Sequence, residues 1–230
     1  MGNLKLTSPA FEDGGKIPLE CGWKKSDDPL RKNVSPKLII EGIPYGTKSL
    51  SLIMEDEDAM KVPDDMFQDG KNPYKDPFVH WVLYDISAFK GLTVEDTKDI
   101  SARHITIEKS ETTSMVPLTK LDWDQASTTA EFKKNRKVLR QYMMEQYGRN
   151  FALTGVNNFG EFAYGGPAPP DKKHTYFFRL YATDFGGYTA GTDEFTRTSG
   201  DSSAWDATSV RKKMEGHIIE QAILKGTYAP

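Results

Sequence analysis

The sequence predicts a mostly β fold, a largely antiparallel sandwich or barrel, on three observations. Glycine (19) and proline (13) are spread along the chain, and the apolar runs between them are short, the punctuation of a strand-rich protein. Two of those runs, Phe78–Ile86 and Thr175–Ala182, are apolar or aromatic at both parities, which predicts central strands covered on both faces. No alternation of strand and helix appears, so a doubly wound parallel sheet is excluded. With 230 residues, 37% hydrophobic and 11% aromatic, the chain can bury a sizeable core, and wholesale disorder is excluded. A single domain spanning 1–230 is the simplest organisation.

In chain order, strands are expected at Lys37–Glu41, Ser49–Met54, Phe78–Ile86, His104–Ile107 and Thr175–Thr183, where β-branched and aromatic residues run between turn signals. Two segments break the pattern. Thr128–Tyr147 places Phe132, Leu139, Met143 and Tyr147 at helical spacing, with Lys133, Lys134, Arg136, Lys137 and Arg140 between them. It reads as an amphipathic surface helix whose basic side is a solvated face. Thr208–Gly216 reads as a short helix, capped by Thr208 and ended by Gly216. There is no internal repeat, low-complexity tract or linker.

Lys and Arg number 30 against 33 Asp and Glu, a formal net charge of -3, which argues against a nucleic-acid binder. No apolar run reaches the 18 residues of a membrane span, and the first residues, Met1-Gly2-Asn3-Leu4-Lys5, hold no apolar signal core. The single cysteine, Cys21, excludes an internal disulfide and a multi-thiolate zinc site. A cytoplasmic protein without a cofactor is expected.

Three places put polar groups where strand patterning expects apolar ones. In Leu50-Ser-Leu-Ile-Met-Glu-Asp56 the period of two sets Leu50, Leu52, Met54 and Asp56 on one face, with Asp58 two residues on. Taken alone, Asp56-Glu57-Asp58 reads as an ordinary acidic turn. His80 shares a predicted face with Phe78, Val82, Tyr84 and Ile86; a buried imidazole needs partners for its nitrogens, and Asp56 is a candidate. The third place is Gly155-Val-Asn-Asn-Phe-Gly-Glu-Phe-Ala-Tyr-Gly-Gly-Pro-Ala-Pro-Pro170, with four glycines and three prolines in sixteen residues. Gly165-Gly166 permits close backbone approach, Pro167 fixes the chain direction, and exposed amides in such a loop can cradle an anion. His174 and Tyr176 follow on one strand face with Phe178 and Leu180.

These features together resemble the phosphatidylethanolamine-binding protein family, in particular its bacterial and archaeal Raf-kinase-inhibitor-like branch. The resemblance is carried by Leu6-Thr-Ser-Pro-Ala-Phe-Glu-Asp-Gly-Gly-Lys-Ile-Pro18, Asn33-Val-Ser-Pro-Lys-Leu38, Gly46-Thr-Lys-Ser-Leu-Ser-Leu52 and Asp56-Glu-Asp-Ala59. It continues through Phe78-Val-His-Trp-Val-Leu-Tyr84, Gly155-Val-Asn-Asn-Phe-Gly160, Tyr164-Gly-Gly-Pro-Ala-Pro-Pro170, His174-Thr-Tyr176, Met214-Glu-Gly-His217 and Leu224-Lys-Gly-Thr-Tyr228. It runs almost end to end, in family order.

The resemblance implies a large central antiparallel sheet, a smaller sheet packed on it and a few peripheral helices. It also implies a preformed pocket for phosphate, acetate-like ions or the phosphoethanolamine head group of a lipid. Carried over by motif, the ligand-binding residues are Asp56, His80, Gly165, Gly166, Pro167, His174 and Tyr176, supported by Asp58. On this reading protonated His80 and His174 donate charge-assisted bonds to phosphate, Asp56 orients and charges His80, and affinity falls as pH rises past neutrality. Four departures stand out. Glu57 and Met60 replace prolines of the family's acidic motif, so Glu57 is expected to weaken anion binding and the corner to relax. Asp76-Pro77 stands where some members place a cis peptide. Thr175 replaces an arginine, and a helical insertion at about 111–150 leads into the glycine loop.

The leading function is non-enzymatic binding of a small anion or phosphorylated ligand, with a regulatory output through a protein partner such as a kinase. The alternatives are serine protease inhibition and, last, phosphoester or ester hydrolysis, against which stands the lack of an activated nucleophile beside a base. Bacterial members of the family suggest a homodimer.

Overall fold

The computed structural model of the chain describes residues 4–23, 33–87, 105–107, 111–112, 153–160, 163–185 and 206–230. Eleven strands are defined there: β1 (Lys5–Thr7), β2 (Gly15–Lys16), β3 (Asn33–Val34), β4 (Leu38–Glu41), β5 (Ser49–Asp56), β6 (Phe78–Ser87), β7 (Ile105–Ile107), β8 (Glu111–Thr112), β9 (Leu153–Thr154), β10 (His174–Thr183) and β11 (Ile218–Tyr228). One α-helix, α1, spans Ala207–Met214.

The large sheet has the order β2-β11-β10-β5-β6-β9, the second sheet β1-β4-β7, and β3 pairs with β8. All pairings are antiparallel except the two-residue contact of β2 with β11 at the sheet's edge. β5 lies at the centre of the large sheet and all eight of its residues are buried. The smaller sheet packs on one face of the large one: Leu6, Leu38 and Ile40 join Leu50, Leu52, Met54, Trp81, Leu83, Phe178 and Leu180 in one apolar cluster. On the opposite face Ile53, Val82, Tyr84 and Tyr181 meet Ala207, Val210 and Met214 of α1. The expected two-sheet β architecture is therefore present, with a mixed rather than wholly antiparallel edge.

The predicted strands at Lys37–Glu41, Ser49–Met54, Phe78–Ile86, His104–Ile107 and Thr175–Thr183 correspond to β4, β5, β6, β7 and β10. β10 departs from the expectation of cover on both faces: His174, Tyr176, Phe178 and Leu180 are buried, while Thr175, Phe177 and Arg179 between them are only partly so. α1 starts one residue earlier than expected, and its cap is Asp206, not Thr208; the Asp206 carboxylate accepts the Ser209 amide at 2.7 Å. Arg211, Lys212 and Lys213 in its last turn suit the negative end of the helix dipole. The expected helix at Thr128–Tyr147 and nearly all of the 111–150 insertion lie outside the described residues. No cis peptide bond occurs among the described residues, so Asp76–Pro77 is trans.

Candidate functional site

Register brings the polar residues together. Antiparallel pairing sets Tyr176 of β10 directly opposite Asp56 at the end of β5, and Asp56 in turn faces Phe78 at the start of β6. Directly opposed residues carry their side chains on the same face of a sheet, so Asp56 and Tyr176 continue the inner face of Leu52, Met54, Phe178 and Leu180. His174 stands two residues before Tyr176 on the same face.

His80 reaches that face by a different route from the one its spacing predicts. The β5–β6 register slips between Met54 and Glu55, so Val79 pairs with Glu55, Trp81 pairs with Met54, and His80 is the extra residue of a β-bulge. Beyond the bulge the parity reverses: Trp81 and Leu83 point to the inner core, Val82 and Tyr84 to the α1 side. His80 therefore does not share a face with Val82 and Tyr84. The bulge re-aims it toward Tyr176, a common use of bulges near functional sites. Its ring lies 5.1 Å from the Tyr176 ring, 5.0 Å from Phe78 and 5.5 Å from Phe159.

The expected His80–Asp56 pair is also absent. His80 Nδ1 stands 2.9 Å from the carbonyl oxygen of Gly165 and 3.2 Å from that of Gly166. Carbonyl oxygens only accept, so Nδ1 carries the hydrogen and the neutral ring keeps a lone pair on Nε2. Burial, with the neighbouring His174 charge behind it, lowers the His80 pKa from 6.5 to about 4, against the two carbonyl bonds that favour the cation. His80 is thus neutral near pH 7, and the expected protonated donor is replaced by an acceptor. A depressed histidine pKa stabilises the fold fully above about 6.5, and that contribution drains away as pH falls toward 4. The shift is worth ~3 kcal/mol at most; Asp56, whose pKa is raised, offsets part of it at the acid end. Urea titrations from pH 7 to pH 4.5 should show wild type losing stability and converging on His80→Asn, whereas a pH-independent gap would refute the neutral, buried ring.

The partner of Asp56 is His174. Asp56 Oδ2 lies 2.7 Å from His174 Nδ1, and Asp171 Oδ1 lies 2.8 Å from His174 Nε2, so the ring is held between two carboxylates with its side chain fully buried. Asp56 Oδ1 accepts the Asp58 and Ala59 amides at 2.9 and 3.2 Å. Burial raises the Asp56 carboxyl above its ordinary value, only partly countered by the His174 hydrogen bond and charge and by those two amides. Burial also works against ionised Asp171, but the His174 bond and charge together with the Lys172 amide and charge outweigh it and hold that carboxyl low. Both nitrogens of His174 are engaged, so it does not offer a phosphate the donor expected of it.

Asp58 supports the corner. Its Oδ2 accepts the Thr175 amide at 3.0 Å and its Oδ1 meets Lys61 Nζ at 2.9 Å, tying the turn after β5 to the start of β10. Burial disfavours its charge, yet the Lys61 and Thr175 bonds prevail and lower its pKa. Asn72, buried, braces the same turn by donating to the Ala59 and Val62 carbonyls at 2.9 Å. The corner therefore keeps its hydrogen bonds with Glu57 and Met60 in place of prolines. Glu57 does not burden the pocket either: its carboxylate pairs with Arg179 Nη2. Arg179 belongs to the alternate set of β10 and also bonds Glu55, which Arg211 of α1 meets at 2.6 Å.

The glycine loop closes the site with carbonyls as much as with amides. The Gly165 amide donates to His80 O at 2.8 Å and so is not available to an anion. Asn157, buried, donates to Ala163 O at 2.9 Å and to His80 O at 3.4 Å. Pro167 O accepts the Trp23 amide at 2.9 Å, and Tyr164 Oη donates to Cys21 O at 2.9 Å, which seat the loop on the segment after β2. The phenol of Tyr176 is the unresolved group. Its oxygen is fully buried and has no hydrogen-bond partner; Asp56 and the Ala168 amide are near, but neither meets bonding geometry. Burial first, and the Asp56 charge second, push its pKa far up, so it remains a protonated donor.

Of the expected residues, Asp56 meets His174, His80 meets the Gly165 and Gly166 carbonyls and the Tyr176 ring, and Asp58 braces the corner, while Pro167 follows in the loop and bonds Trp23. The sequence reading missed Asp171, the second carboxylate on His174, whose only sequence signal is its position three residues earlier. It also missed Asn157 and the aromatic wall of Phe78 and Phe159, the latter stacked on Trp23 at 3.9 Å between ring centroids.

Comparison with known proteins bears on the same stretches. A family profile described as phosphatidylethanolamine-binding protein matches residues 7–229. A UPF0098 protein of Chlamydia pneumoniae is 27% identical over 225 residues, with 98% of each chain covered. A UPF0098 protein of Archaeoglobus fulgidus is 29% identical over 230 residues, 100% of this chain but 52% of that relative's length. The crystal structure of a phosphatidylethanolamine-binding protein homologue from Chlamydia trachomatis aligns with a TM-score of 0.57 at 25% identity, covering 99% of this chain and 98% of that one.

Proposed function

The chain belongs to the phosphatidylethanolamine-binding protein family, and from that premise we propose that it binds a small anion or phosphorylated ligand without chemical turnover, at the site formed by Tyr176, His80 and Asp56. The observation that carries this is the Tyr176 hydroxyl: fully buried, protonated and without a partner. An unmet buried hydroxyl costs about 1–3 kcal/mol, a cost that a ligand oxygen accepting its hydrogen would remove. Next to it His80 presents an unpartnered Nε2 in a ring fixed by the Gly165 and Gly166 carbonyls. Absence of turnover is argued from the histidines: one is locked on backbone carbonyls and the other between two acids, and neither bonds a serine, threonine or cysteine hydroxyl or thiol among the described residues. No helix among the described residues is long and apolar enough to cross a membrane. A ligand-dependent regulatory role through a protein partner such as a kinase is the output this reading carries forward.

Calorimetric titration with inorganic phosphate and O-phosphoethanolamine tests it. Wild type should give saturable heat with no product released, and Tyr176→Phe, which removes only the donor, should bind at least tenfold more weakly while folding at least as stably. Equal affinity in the two proteins, or release of inorganic phosphate from O-phosphoethanolamine, would overturn it.

A further inference from the structure

The hydrogen-bond inventory of the site also says which ionisation state of a ligand it suits, an inference that rests on the binding reading above. Every charged or titratable group facing His80 and Tyr176 among the described residues is already committed. Asp56 is filled by the Asp58 and Ala59 amides and by His174; Asp171 takes the other nitrogen of His174; Lys61 is spent on Asp58. The Gly165 amide is bonded to His80 O. Among the described residues what is left for a ligand is the Tyr176 hydroxyl, with the Ala168 amide beside it, as donors, and one lone pair, His80 Nε2; the His80 and Tyr176 ring centroids are 5.1 Å apart. Among the described residues the charges fixed there are carboxylates with a single imidazole between them, and no surplus cation stands by to hold a dianion.

A phosphomonoester dianion offers lone pairs only. It can accept from Tyr176, but it would turn a second lone pair toward Nε2 and its charge toward Asp56, and each of those contacts is repulsive. A phosphomonoester monoanion offers both halves: a charged oxygen for the Tyr176 hydroxyl and a P–OH for Nε2. We infer that the site selects the monoanionic, proton-carrying form of a phosphomonoester or phosphonate, its P–OH donating to His80 Nε2 and another oxygen accepting from Tyr176, with no bond broken and no proton transferred. Affinity then falls with rising pH, as first expected, but because the ligand loses its proton and not because a histidine does.

The experiment uses methyl phosphate, methylphosphonate, whose second ionisation lies at higher pH, and sulfate, a tetrahedral dianion that keeps no proton across this range. Titrations from pH 5.5 to 8.5 should show methyl phosphate and methylphosphonate weakening about tenfold per pH unit above each ligand's own second ionisation, since only the competent fraction binds. Sulfate should bind at least tenfold more weakly than methyl phosphate at pH 6. In His80→Gln, whose amide can donate as well as accept, the ratio of methyl phosphate to sulfate affinity should fall toward one. Sulfate binding as tightly as methyl phosphate, a break at the same pH for both titrating ligands, or affinity that rises with pH would overturn the selectivity while leaving binding intact. No heat from any of the three at any pH would overturn the binding reading itself.

Discussion

His174→Ala is expected to destabilise the protein by about 3–5 kcal/mol at neutral pH, the usual cost of removing one member of a buried ion pair. His174 has a fully buried side chain between Asp56 and Asp171, and Asp56 itself is only 4% exposed. Without the imidazole, two carboxylates are left facing each other across a cavity with no cation. The loss should shrink as pH falls: the Asp56 carboxyl already sits above its ordinary pKa because of burial, and losing its partner raises it further. A raised carboxyl pKa stabilises the folded form at low pH and is lost as pH rises through it. Adding Asp56→Asn to His174→Ala should therefore cost less than the sum of the single changes, because the buried Asp56 charge that His174 compensates is then gone. Urea midpoints at pH 7 and pH 5 for the three variants measure all of this. A deficit below about 1 kcal/mol, or strict additivity, would show that the pair is not the anchor of the site.

Gly166→Ala is expected to be the most damaging single methyl in the described chain. A Cβ at Gly166 would stand 2.4 Å from Gly22 C and Trp23 N and 2.6 Å from Cys21 O, all backbone atoms that cannot swing aside. Overpacking usually costs about 1–3 kcal/mol, and a rigid backbone obstacle places this at about the top of that range or above. The loop carrying Gly165 and Gly166 would have to lift off the Cys21–Trp23 segment, taking with it the carbonyls that hold His80. Loss of stability and loss of phosphate binding should thus appear together. Gly160→Ala is the contrasting case. Nothing lies within 4 Å of its Cβ position, so its cost is confined to the strain of a φ of +78°. Comparable damage from the two substitutions would argue against the packed loop.

Much of the fold was legible because burial writes parity into strands. Ser49–Met54 and Phe78–Ile86 read as strands from their apolar runs, and Asp56 and His80 stood out because polar groups fell where the patterning expects apolar ones. β11 escaped notice although it is the longest strand. Ile218, Ile219 and Ile223 are exposed along it while Glu220 and Ala222 are half-buried, so its outer half follows no apolar alternation. The bulge at His80 was invisible for a related reason: one extra residue reverses the parity of Trp81–Tyr84, until a second register shift returns Ile86 to the inner face, without changing the apolar character of the run. That reversal is why Val82 and Tyr84 were wrongly assigned as companions of His80 while its destination was right. Partner choice at the site was beyond the sequence altogether. Asp56 lies 24 positions before His80 and 118 before His174, and only the β5–β10 register brings the more distant of the two into contact. The charge of Glu57 was misjudged because its partner, Arg179, is likewise supplied across that register.

The most direct test of the site is a long-range 1H–15N spectrum of the histidine side chains at pH 7, recorded while inorganic phosphate is added. His80 is expected to show a neutral ring with the proton on Nδ1, and its unprotonated Nε2 resonance should move saturably with phosphate and stay still in Tyr176→Phe at the same concentrations. A doubly protonated His80 ring at pH 7, or an Nε2 resonance indifferent to phosphate that binds elsewhere, would contradict both the electrostatics of the site and its role.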